Sequence, residues 1–81
     1  MNFYNQVRRI ERIDYLIRSR STGTPAELAR KLRISQSQLY QTIRIMRDVM
    51  DAPLYYSKIH QSYCYHEHVK FICTFAEILE K

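Results

Sequence analysis

The chain is short of several residue types, and each shortage excludes something. It has 81 residues, with one glycine, two prolines and no tryptophan. So little glycine and proline rules out a collagen repeat and flexible linkers, and 46% hydrophobic residues rule out a disordered chain. Two cysteines, Cys64 and Cys73, are too few for a disulfide scaffold and read as reduced thiols. No apolar run approaches the roughly 18–20 residues that span a bilayer. Charges begin at Arg8, Arg9, Glu11 and Arg12, which leaves no apolar signal-peptide core. The expectation is a cytoplasmic protein, neither secreted nor membrane-inserted.

Signs of catalysis are also missing. A single glycine leaves no glycine-rich phosphate loop, and no Ser-His-Asp or Cys-His order stands out. A chain this short has room for one domain and little room for a cleft. No enzyme activity, cofactor or small-molecule ligand is expected.

Acidic residues are scarce beside basic ones, 8 against 13, for a net charge of +5. The excess is uneven: residues 1–60 hold 11 Lys/Arg and 5 Asp/Glu, and residues 61–81 hold 2 and 3. A basic surface attracts polyanions, nucleic acid first and an anionic membrane surface second.

Apolar periodicity predicts the elements. At about 100° per residue, Phe3, Val7, Ile10, Ile13, Leu16 and Ile17 share one half of a helical wheel. Arg8, Glu11, Arg12, Tyr15 and Arg18 share the other, with Glu11 and Asp14 interrupting the positive face. The amphipathic helix expected over about Phe3 to Arg20 serves either as a core-facing first helix or as a membrane-surface helix.

Ser21-Thr22-Gly23 breaks the pattern, with the glycine placed where a helix end often needs positive φ. Thr24-Pro25-Ala26-Glu27 is a capping box with proline at the first helical position. It predicts a helix from Pro25 to about Leu32 that buries Leu28, Ala29 and Leu32. Arg33 and Ile34 form a turn. Ser35 and Gln38 repeat the box and open a third helix, Gln36 to about Met50. Its core arc is expected to hold Leu39, Thr42, Ile43, Ile45, Met46, Val49 and Met50. Its polar arc holds Gln36, Ser37, Tyr40, Gln41, Arg44, Arg47 and Asp48.

Pro53 stops that helix. Leu54–Lys58 and Ser62–His66 read as a tyrosine-rich β-hairpin, although the turn lacks Asn-Gly. Residues 67–75 fit either a strand or a helix, and β-branched and aromatic residues favour a strand to about Phe75.

The run Leu28-Ala29-x-x-Leu32-x-Ile34-Ser35-x-x-x-Leu39-x-x-x-Ile43 has helix-turn-helix spacing. With the hairpin after it, the chain resembles the winged helix-turn-helix family of DNA-binding domains. It resembles in particular small bacterial winged domains, through Pro53-Leu54-Tyr55-Tyr56 and Ser62-Tyr63-Cys64-Tyr65. It departs from the pattern in having Arg33 where the turn commonly has glycine. Its wing tip offers only Lys58 and His60, where Arg and Lys usually abound.

The expected fold is mainly α with a small hairpin: a three-helix winged helix-turn-helix domain over residues 1–66. Residues 67–81 form a C-terminal extension, strand or short helix, that packs on the core or forms a dimer interface through Phe71, Phe75 and Leu79. The resemblance implies sequence-specific binding of double-stranded DNA, as a transcriptional regulator or mobile-element accessory factor, and allows a homodimer.

Helix 36–50 would enter the major groove. Gln36, Ser37, Tyr40, Gln41 and Arg44 would face base edges, since Gln pairs with adenine and Arg with guanine. Thr24, Ser35, Arg33, Arg47, Lys58 and His60 would face phosphates. The alternative is a winged-helix protein-interaction module without DNA affinity. No metal is expected; the minor alternative is a Cys64, His66 and His68 set on one strand face.

Overall fold

The computed structural model describes residues 3–72. The described chain is mainly helical, with three α-helices followed by a two-stranded antiparallel hairpin. Helix α1 spans Phe3–Arg18, α2 Pro25–Leu32 and α3 Gln36–Arg44. A π-helical turn, Ile45–Val49, continues α3, and strands β1 (Leu54–Ser57) and β2 (Ser62–Tyr65) follow. Their register pairs Leu54 with Tyr65, Tyr55 with Cys64, Tyr56 with Tyr63 and Ser57 with Ser62.

The three helices and the hairpin share one core. Ile10, Ile13 and Ile17 from α1 meet Leu28 and Ala29 from α2, and Leu39 and Ile43 from α3. Met46, Leu54 and Tyr63 close the same core. Burying a side chain such as Leu28 or Leu39 contributes about 1.5–3 kcal/mol. Ala29 leaves room for α2 and α3 to approach.

Helix ends are set by arginines in left-handed conformation. After α1, Arg20 has φ 52°, its N–H donates to the Ile17 carbonyl, and that of Ser21 donates to Leu16. After α2, Arg33 has φ 59°, its N–H donates to Arg30, and that of Ile34 donates to Ala29. Both are Schellman closures. A non-glycine residue costs about 1 kcal/mol there, so Arg33 carries the strain its place in the turn implies. Gly23 has positive φ too, at +75°, but it does not end α1. A Cβ at Gly23 would lie 2.6 Å from the Glu27 carboxylate of the capping box and would push it from its place.

Several expectations are corrected. The helix after Ser35 extends to Val49, but its last turn is π-helical: the N–H of Met50 bonds to the Ile45 carbonyl, five residues back. Each residue then turns less than in an α-helix. Met46 stays in the core, while Val49 is 74% exposed and Met50 also faces solvent. Phe3, on the apolar half of the wheel, is 78% exposed in the first turn of α1. Asp14 is not on the surface. It is 2% exposed and accepts hydrogen bonds from Arg18 Nε at 3.0 Å and Tyr65 Oη at 2.7 Å.

Residues 67–72 form neither strand nor helix, since the hairpin ends at Tyr65 and offers them no ladder partner. Phe71 is half-buried against the protein's own core. Phe75 and Leu79 lie outside the described residues. Among the described residues, no helix is long and apolar enough to cross a membrane.

Candidate nucleic-acid interface

The turn between α2 and α3 sets the interface. Arg33 reverses the chain, and Ser35 caps α3. The Gln38 N–H donates to Ser35 Oγ at 3.0 Å, and the Ser35 N–H donates to Gln38 Oε1 at 3.0 Å. The equivalent box at α2 joins Glu27 N to Thr24 Oγ1 at 3.2 Å and Thr24 N to Glu27 Oε1 at 2.7 Å. These backbone and hydroxyl donors hold the Glu27 carboxyl below its ordinary range. Both cap hydroxyls accept a backbone N–H within their box.

Helix α3 then splits by face. Leu39, Thr42 and Ile43 are buried. Thr42 Oγ1 donates to the Gln38 carbonyl at 3.0 Å and lies 3.5 Å from the Arg9 guanidinium of α1. On the other face Gln36, Ser37, Tyr40, Gln41 and Arg44 are all exposed. Ser37, Tyr40, Gln41 and Arg44 follow the spacing i, i+3, i+4, i+7, one stripe about 10 Å long, the rise of about three base pairs. The structure thus brings the five expected base-facing residues together on one uncovered face.

The expected phosphate-facing residues are dispersed around it. Arg33 is exposed at the start of α3. Arg47, in the π-turn, is exposed and lies 3.7 Å from Asp48, an exposed pair worth little. Lys58 is exposed in the hairpin loop beside Ile59, which is 92% exposed. His60 has Nδ1 2.9 Å from Ser57 Oγ and Nε2 3.5 Å from Arg20 Nη1, so both ring nitrogens already meet protein groups.

Buried polar groups that the periodicity did not mark fix the hairpin against the helices. Thr22 and Ser62 are both fully buried. Thr22 Oγ1 accepts from the Tyr63 N–H at 2.8 Å, and Ser62 Oγ accepts from the Thr22 N–H at 3.2 Å. Tyr65 ties β2 to Asp14 of α1. Burial pushes the Tyr65 phenol well above its ordinary value of 10, and the neighbouring Asp14 carboxylate adds to the shift. Burial also pushes Tyr63 up, with Tyr40 and Tyr56 adding and Arg47 opposing.

The Cys64, His66 and His68 set does not form. Cys64 is buried, and His66 stacks on Tyr55 with ring centroids 4.2 Å apart. His68 lies beyond the strand, where alternation no longer applies. Among the described residues no group of three His, Cys, Asp or Glu side chains converges on a metal position. No family model, curated protein or solved structure matches the chain.

Proposed function

We propose that the chain is a winged helix-turn-helix domain that binds double-stranded DNA sequence-specifically, as a transcriptional regulator. Helix α3 enters the major groove, which admits one α-helix. The observation that carries this reading is the uncovered stripe of Gln36, Ser37, Tyr40, Gln41 and Arg44 on a helix whose other face is buried. These side chains can donate, accept and stack, as base-edge readout requires. The hairpin is the wing, and it brings Lys58 toward the flanking backbone. Two copies on adjacent half-sites would gain avidity, with residues 67–81 as the pairing segment.

Fluorescence anisotropy with a mixed-sequence duplex of about 30 base pairs, at several salt concentrations, tests this; the log–log slope should be about −3 or steeper. Gln41→Ala and Arg44→Ala should weaken binding while thermal unfolding stays unchanged. Absence of binding at low salt would remove the DNA reading. A protein-interaction module is the second reading, favoured by Val49 and Ile72, which are 74% and 70% exposed. It predicts indifference to Gln41→Ala and Arg44→Ala, with sensitivity at Phe71.

A further inference from the structure

A groove of about 810 Å³ runs between α1 and the α2–α3 turn. Four guanidinium groups line it, those of Arg8, Arg9, Arg12 and Arg33, against a single carboxylate, Glu11. Arg8 and Arg12 lie one helical turn apart on α1, about 6 Å along its axis. Both are exposed, as is Arg33 on the opposite wall. Glu11 offsets little of this charge, because its contact with Arg8 is 3.9 Å long between side chains 67% and 46% exposed. An incoming phosphate can displace such a pair.

Two features join this groove to α3. Its turn wall is Leu32-Arg33-Ile34, which leads directly into the Ser35 cap at the positive end of the α3 dipole. On the other wall, Arg9 Nη1 lies 3.5 Å from Thr42 Oγ1, on the buried side of α3. The turn wall of the groove therefore ends where α3 begins.

We propose that this groove is a second contact for the phosphate backbone of the same duplex, outside the major groove that α3 occupies. Arg8 and Arg12 grip phosphates by paired N–H donors, for which guanidinium is better suited than ammonium. The contact adds affinity and salt dependence but no base preference. It rests on the DNA reading above and extends it from α3 to α1.

Its test compares the native protein with the double variant Arg8→Gln, Arg12→Gln. Each neutralised phosphate contributes about 0.9 to the slope, so the variant should be shallower by about 2, and the native protein should lose about tenfold more affinity between about 50 and 200 mM salt. The ratio of affinities for two different sequences should not change. Arg8→Lys, Arg12→Lys keeps the charges and should restore most of the slope. A control, Lys70→Gln, removes a cation near the other end of α1 and should change the slope by less than about 0.5. Equal slopes for the native protein and the groove variant, or equal losses in groove variant and control, overturn the groove contact and leave the α3 reading standing. No binding by the native protein at low salt overturns both.

Discussion

Replacing Tyr65 by Phe removes one hydroxyl and leaves the ring in place. That hydroxyl donates to Asp14 Oδ1 at 2.7 Å, and Asp14 is 2% exposed. The carboxylate keeps Arg18 Nε at 3.0 Å, but the Arg18 side chain is 37% exposed and only partly compensates. A hydrogen bond to a buried charged group is worth about 1.5–3 kcal/mol, so Tyr65→Phe should cost about 2 kcal/mol. At about 4–8 °C per kcal/mol for a domain of this size, Tm should fall by roughly 8–16 °C.

Thermal and urea unfolding followed by circular dichroism would read this directly. The pH dependence gives a second check. Burial, with the Asp14 hydrogen bond and charge adding to it, raises the folded-state pKa of Tyr65 above its ordinary value of 10. The stability it contributes is therefore complete below pH 10 and is lost as pH rises from there toward the folded-state value. The gap between native protein and Tyr65→Phe should be level near neutrality and narrow in alkali. A loss under about 0.5 kcal/mol at neutral pH, or a gap that fails to narrow in alkali, would refute the account of this tie.

Three further variants probe other contacts. Arg33→Gly should stabilise by about 0.5 kcal/mol in urea unfolding, because relief of the left-handed conformation outweighs the added chain entropy. The same variant should bind DNA more weakly, with a slope shallower by about 0.9. Thr22→Val leaves the buried Tyr63 N–H without its 2.8 Å acceptor and should cost about 2 kcal/mol by thermal unfolding, the hairpin amides exchanging first in a hydrogen-exchange experiment. Gly23→Ala forces a Cβ to within 2.6 Å of the Glu27 carboxylate at positive φ, and should lower Tm by several degrees.

Local signals were the legible part of this chain. Thr24 with Glu27, and Ser35 with Gln38, fix two helix starts through chemistry contained within four residues. The hairpin limits follow from Pro53 and the tyrosine runs on either side of a polar loop. The apolar spacing of Leu39, Thr42 and Ile43 identifies the buried face of α3, and therefore the exposed one. Features that depend on distant partners were not legible. Asp14 is buried because Tyr65, 51 residues later, supplies a donor. The left-handed turn at Arg20 carries no glycine to announce it. The π-turn at Ile45–Val49 has neither glycine nor proline inside it, so straight-helix periodicity wrongly assigns Val49 to the core. The groove beside α1 is likewise tertiary: Arg33 joins Arg8 and Arg12 only once α2 has packed on α1.

On the proposed function, the exposed stripe of α3 is the surface that meets DNA. An amide nitrogen–proton NMR titration with a short duplex tests it residue by residue. The largest shifts should fall on residues 33–44, with smaller ones on 8–12 and 58–61, and added salt should reverse them. Shifts concentrated instead at Val49, Met50 and Phe71, or no shifts at low salt, would contradict it.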